Sequence, residues 1–158
     1  MDIIGKDQIE LHVYDFDGVM TDNKVWVDQN GIETVQVNRA DGWAVGQFKT
    51  KGLMQVILST ETNPVVSARA KKLGIRCMQG SSSKLADLTA FCKKETIALD
   101  AVLYIGNDLN DLEVMTKVGY RVCPSDAHDK IKKVSNFVTS SAGGQGVIRE
   151  LFDMIFPE

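Results

Sequence analysis

The sequence predicts a three-layer α/β fold: a doubly wound, Rossmann-like parallel sheet carrying one inserted β-hairpin. Three observations lead there. Short runs rich in Ile, Val and Leu alternate with amphipathic stretches of helical length. The runs 9–14, 53–58 and 101–105 draw heavily on Ile, Val and Leu, as parallel strands covered on both faces do. The stretch KVWVDQNGIETVQV sets Asn30-Gly31 between two runs of period two, a hairpin signal that interrupts the alternation.

Taken in order, strand 9–14 runs into YDFDGVMTD, where Asp15, Asp17 and Asp22 crowd the end of a core element. The hairpin follows at about 24–38, then a helix at 41–51 and the strand 53–58. Asn63 as N-cap, Pro64 in the first turn and Gly74 after the last turn bracket a helix at 64–73. A short strand at 75–78 and a helix at 82–95 lead to strand 101–105. The remainder reads as helix 109–117, strand 119–123, helix 128–134, strand 136–138 and helix 146–155. No internal repeat, low-complexity tract or linker interrupts this plan.

With 158 residues the chain fits one domain, 1–158, large enough to remove roughly 70% of its unfolded surface from water. Hydrophobic and charged fractions of 44% and 25% are those of an ordinary globular protein. A net charge of −3 argues against a nucleic-acid partner, which needs a basic face to neutralise phosphates. No apolar run approaches the ~20 residues of a membrane span, and MDIIGKDQ lacks the features of a signal peptide, so a cytoplasmic protein is expected. Cys77, Cys92 and Cys123 form no CxxC pair and read as core thiols in a reducing compartment. His12 and His128 are single and far apart, and both read as structural.

In open parallel sheets the functional crevice lies outside the carboxyl ends of the strands. The first strand delivers Asp15 and Asp17 there, the second Ser59 and Thr60, and the third Asn107, Asp108 and Asp111, while Lys84 opens the helix after the short strand. Carboxylates gathered this closely repel unless a cation shares them. Mg²⁺ suits an all-oxygen set of one or two carboxylates plus a substrate phosphate. A metal, a lysine and a small hydroxyl around a nucleophilic carboxylate describe a site for phosphoryl transfer.

At these residues the chain resembles the haloacid dehalogenase-like phosphatases. DFDGVMTD is similar to their first motif, VILS to their second, Lys84 to their third and IGNDLND to their fourth, in the right order and across nearly the whole chain. The resemblance implies that Asp15 is the nucleophile that becomes an aspartyl phosphate and that Asp17 is the general acid and base. Asp15, the Asp17 backbone carbonyl and Asp108 would bind Mg²⁺; Ser59 and Lys84 would hold the phosphoryl oxygens. Asp111 would orient Lys84 or a metal-bound water, with Asn107 as an alternative supporting group. Asp22 reads as a solvated or capping bystander.

Most members of that family carry a cap domain between the first and second or the second and third motifs, and neither interval has room for one here. This small, hairpin-bearing plan resembles the phosphatases of 3-deoxy-manno-octulosonate 8-phosphate and the phosphatase-like domains linked to acylneuraminate cytidylyltransferases. That resemblance implies a phosphorylated sugar acid as substrate and a homotetramer in which neighbouring subunits cover the site. AGGQGVIRE, 142–150, is similar to their glycine-rich C-terminal motif, which would offer Arg149 to a substrate carboxylate; its plain reading is a helix start with an Arg149–Glu150 surface pair. Thr60 is a further candidate substrate contact. Glu61 stands where the eight-carbon phosphatases commonly place arginine, and either touches substrate or pairs with Arg69 or Lys72 on the following helix.

A phosphorylation-dependent receiver domain uses the same ingredients, but its acceptor aspartate, hydroxyl and lysine come in a different order. The remaining alternative is a weakly catalytic or non-catalytic tetramerisation module associated with a cytidylyltransferase.

Overall fold

The structure, a computed structural model, describes residues 6–157. Its strands are β1 (Leu11–Tyr14), the hairpin pair β2 (Trp26–Val27) and β3 (Glu33–Thr34), β4 (Met54–Leu58), β5 (Arg76–Met78), β6 (Val102–Ile105), β7 (Tyr120–Cys123) and β8 (Phe137–Val138). Six of them form one sheet in the order β5-β4-β1-β6-β7-β8, every neighbour parallel. All four residues of β1 are buried, the polar His12 among them.

Helices α1 (Arg39–Thr50), α2 (Val65–Leu73) and α6 (Val147–Ile155) cover one face, with Phe48, Val66, Leu151 and Phe152 in that core. Helices α3 (Lys84–Glu95), α4 (Leu109–Met115) and α5 (Asp129–Val134) cover the other through Leu88, Cys92, Met115 and Ile131. Cys92 and Cys123 are buried free thiols and Cys77 is half-buried. His12 is a core residue, its ring edge-on to Phe48 at 4.5 Å, and burial lowers its pKa to about 3. Among the described residues no helix is long and apolar enough to cross a membrane. Only the hairpin, α1 and β4 separate Asp17 from Ser59, and only α2 and β5 separate Ser59 from Lys84, so no cap domain intervenes.

Boundaries differ from the sequence reading where side chains cap. Asn38 caps α1 by accepting the Ala40 N–H at 2.8 Å, so that helix starts before Asp41 rather than at it. Ser83 caps α3, which puts Lys84 at its first position, and His128 Nδ1 caps α5 from outside. Gly74 closes α2 at φ +67° as expected, while at the other end Asn63 accepts the Val65 N–H at 3.0 Å and Pro64 takes the N-cap position, so that α2 begins one residue later than Asn63-Pro64 suggested. The hairpin turn is longer than an Asn-Gly pair. Asp28 and Ile32 pair across Gln29, Asn30 and Gly31, and only Gly31 has positive φ, the three-residue turn-plus-bulge form.

Asp41 does something the sequence does not announce. Helix α6 starts at Gly146 with no side-chain cap of its own, and Asp41 Oδ1, reaching across from α1, accepts the Ile148 and Arg149 N–H groups at 2.9 and 3.0 Å. Its Oδ2 is buried without a partner. Burial pushes the Asp41 carboxyl up to about 6, against the pull of those two N–H groups and Arg69. The group is therefore without cost below the ordinary carboxylate pKa of about 4, costs more as pH rises to about 6, and keeps its full cost above that. Asp41→Asn retains an acceptor for both N–H groups, so its stability relative to wild type should rise by about 3 kcal/mol between about pH 4 and pH 8. Denaturant melts across that range check this, and a pH-independent difference would refute the assignment.

Candidate active site

Sheet register assembles the site. Tyr14 pairs with Ile57 on one side and Ile105 on the other, so the chain leaves β4, β1 and β6 along one line. Just past it stand Ser59, Asp15 and Asn107, which line a cleft of about 320 Å³ together with Asp17, Thr60 and Asp108. Asn23, Leu109 and Asn110 complete its rim.

Asp15 is 4% exposed and its Oδ1 is fixed from two sides, by the Phe16 N–H at 2.7 Å and by Lys84 Nζ at 2.9 Å. Lys84 is buried and also donates to Asp111 Oδ1 at 2.7 Å. Asp111 is itself saturated. Its Oδ1 also accepts from the Tyr104 hydroxyl at 2.7 Å, and its Oδ2 from the N–H groups of Asn107 and Asp108 at 2.9 and 3.3 Å. Of the two partners expected for Asp111, Lys84 or a metal-bound water, its contact here is with Lys84. Gly106 allows this approach, since a Cβ there would lie 2.7 Å from Asp111.

Electrostatics follow from burial. Burial and the Asp111 charge push the Asp15 carboxyl well above the usual carboxylate range, opposed by Lys84. Burial works against the Lys84 ammonium, but Asp15 and Asp111 together outweigh it and hold the group above its ordinary value. Burial and the nearby Glu61 charge raise Asp17, with Glu33 adding to them and a Thr21 hydrogen bond opposing. A carboxyl raised in this way keeps its proton to higher pH than an ordinary one, as a proton donor must.

Asn107, rather than Asp108, reaches the two acids of the first motif. The leading atom of its amide lies 2.9 Å from the Asp17 carbonyl oxygen and 3.1 Å from Asp15 Oδ2, both acceptors. Asp108 lines the cleft but is exposed, and its Oδ1 accepts the Leu109 N–H at the start of α4. Among the described residues no group of three or more His, Cys, Asp or Glu side chains is placed to hold a metal ion. What converges is a carboxylate, a main-chain carbonyl and an amide, an oxygen-rich set that fits Mg²⁺.

The proposed substrate contacts scatter. Thr60 is on the cleft rim. Glu61 lines a side cleft of about 230 Å³ that shares Asp17 and Asn23 with the first and also holds Glu33. One Glu61 oxygen accepts the N–H groups of Thr62 and Asn63, and among the described residues no ion pair joins Glu61 to Arg69 or Lys72. Arg69 instead donates to the Asn38 carbonyl beside Asp41, and Lys72 is exposed on α2. Arg149 stacks on Trp43 at 4.4 Å and pairs with Asp153 at 2.9 Å, outside both clefts. The Gly143-Gly144 pair packs under this chain's own first-motif loop, the Gly144 N–H donating to the Val19 carbonyl at 3.0 Å. Asp22 accepts the Lys24 N–H and takes no part in the cleft lining. Sequence reasoning missed Tyr104 and Thr21. A tyrosine inside the otherwise aliphatic run VLYI was the available signal for the first, because a buried phenol seeks a polar partner.

Comparison with known proteins agrees with this geometry. Residues 48–151 match the family model described as haloacid dehalogenase-like hydrolase. The chain is 35% identical over 156 residues to the 3-deoxy-D-manno-octulosonate 8-phosphate phosphatase KdsC of Escherichia coli strain K12, covering 98% of this chain and 83% of that protein. A solved structure from Streptomyces avermitilis, described as a HAD family hydrolase, superposes with a TM-score of 0.92 at 43% identity, over 94% of this chain and 86% of that one. The octulosonate 8-phosphate phosphatase of Moraxella catarrhalis, solved with magnesium, phosphate and KDO, gives 0.90 at 32% identity with the same coverage. Matching motifs, sheet order and relatives along nearly the full chain lead to one assignment: this protein belongs to the haloacid dehalogenase-like hydrolase family and is a phosphatase.

Proposed function

We propose that the chain is a Mg²⁺-dependent phosphatase of phosphorylated sugar acids, of the octulosonate 8-phosphate or nonulosonate 9-phosphate type, working through an aspartyl phosphate in the cytoplasm. The carrying observation is Asp15 at the cleft floor, with Oδ1 held by Lys84 and the Phe16 N–H and Oδ2 beside Asn107. An Asp15 carboxylate oxygen attacks phosphorus, the bond to the sugar oxygen breaks, and that oxygen takes the Asp17 proton. Asp17, now ionised, removes a proton from water as it attacks the phosphorus of the aspartyl phosphate, which releases inorganic phosphate and restores Asp15. Lys84 neutralises charge on the phosphoryl oxygens. Ser59 Oγ already accepts the Glu61 N–H at 3.1 Å, so its own proton is available to a phosphoryl oxygen. Asp15, the Asp17 carbonyl and Asn107 would hold Mg²⁺, with Asp108 at the rim; the ion would supply charge neutralisation at the transferring phosphoryl group.

The sugar acid class is supported by the substrates that the relatives' names carry. Glu33 and Glu61 in the side cleft favour the hydroxyl-bearing part of a sugar over its carboxylate. The same reading makes the protein a homotetramer whose neighbours cover the open cleft, supported by a hairpin with Trp26 78% and Val27 and Ile32 each 60% exposed. A steady-state screen of eight- and nine-carbon sugar acid phosphates against simple sugar phosphates tests the function. One strongly preferred sugar acid, hydrolysed with Mg²⁺ and not in chelator, is expected. Uniformly weak or chelator-insensitive hydrolysis would instead fit an assembly role or another chemistry.

A further inference from the structure

The Asn107 amide faces two acceptors, Asp15 Oδ2 and the Asp17 carbonyl. With its nitrogen forward, the separations of 2.9 and 3.1 Å are two hydrogen bonds. With its oxygen forward and Asp15 ionised, three oxygens converge with no proton among them, an arrangement that needs a cation. Adjacent ligands of an octahedral Mg²⁺ bound at about 2.0–2.1 Å stand about 2.9 Å apart, so the same positions serve a metal shell. The other head atom of the amide lies over Gly18, 2.0 Å from where a Cβ would be. Glycine at 18 therefore leaves the amide room, and half a turn about its last side-chain bond exchanges oxygen and nitrogen in place.

We propose that Asn107 is a two-state element of the metal site: its amide nitrogen clamps Asp15 and the Asp17 carbonyl in the metal-free protein, and its amide oxygen becomes a ligand when Mg²⁺ binds. This rests on the metal-dependent reading above and adds to it a reason for an amide at this position. Asp15 is then the one ionisable side chain in direct contact with the ion, and it already pairs with Lys84. A neutral third ligand lowers the charge count of the site and with it the affinity for Mg²⁺. In exchange the metal-free site holds its shape, because hydrogen bonds replace the repulsion that a second carboxylate at 107 would bring.

Asn107→Asp separates these effects. Calorimetric titration with MgCl₂ should show at least about tenfold tighter binding than wild type, following the added ligand charge. In EDTA the variant should melt below wild type, with most of the deficit recovered in saturating Mg²⁺. Should that variant not fold, the wild-type Asn107 side-chain amide decides by NMR: its protons should be protected from exchange in EDTA and released by Mg²⁺. Equal or weaker Mg²⁺ binding by the variant, or an amide signal indifferent to Mg²⁺, overturns the proposal while wild-type binding keeps the metal-dependent reading. Wild type that binds no Mg²⁺ and hydrolyses phosphate esters in EDTA overturns both.

Discussion

Asp15→Asn is expected to lower hydrolysis of every phosphate ester by about 10⁴-fold or more, the scale on which loss of a covalent nucleophile acts, while the chain stays folded. An amide cannot attack phosphorus, and neither Asp111 nor Asp108 is placed to replace it. Asp111 is held by Lys84, Tyr104 and two main-chain N–H groups, and Asp108 faces solvent at the start of α4. Asp15 is nearly isosteric with asparagine, its Oδ1 still accepts the Phe16 N–H, and Lys84 keeps Asp111. Circular dichroism and melting should match wild type closely. Asp17→Asn should fail at a different point. An aryl phosphate with a good leaving group needs no proton from residue 17, so the first step survives, whereas water attack on the aspartyl phosphate loses its base.

The second large effect is on stability as well as activity. Lys84→Met leaves the carboxylates of Asp15 and Asp111 facing each other without the cation they share, both nearly inaccessible to water. Removing one partner of a buried charge group costs about 3–5 kcal/mol, roughly 10 °C in the melting midpoint of a chain this size. The deficit should deepen as pH rises, because at low pH the stranded carboxylates take up protons and repel less. Turnover should be lost at every pH, since the charge that neutralises the phosphoryl oxygens is gone. A midpoint equal to wild type at about pH 8 would mean that Asp15 and Asp111 are not coupled through Lys84.

Much of this was legible in the sequence because parallel strands deliver their carboxyl ends to one edge. Once β1, β4 and β6 are recognised as neighbouring parallel strands from their Ile, Val and Leu content, Asp15, Ser59 and the 107–111 segment must meet. The choice between Asn107 and Asp108 was not legible. Neighbouring residues at a strand end point in different directions, and spacing does not say which one turns inward. The starts of α1 and α3 each shifted by two residues for a related reason: Asn38 and Ser83 cap through side-chain geometry that composition does not fix. Asp41 was read as the first residue of a helix, yet its partner is the N-terminus of α6, 107 residues away in sequence, a contact no local pattern carries. Arg149 lies in the first turn of that helix, where its N–H reaches Asp41; its side chain stacks on Trp43 of α1 and pairs with Asp153 one turn along α6. Tyr104 looked like core and is core, but its hydroxyl ends on Asp111.

The most direct measurement of the central claim is a rapid-mixing experiment on Asp17→Asn with an aryl phosphate in Mg²⁺. A burst of one arylate per active site, followed by slow turnover, with the phosphoryl group recovered on the peptide that contains Asp15, is the expected result. Steady release of arylate without a burst, and no phosphoryl group on that peptide, would contradict the account.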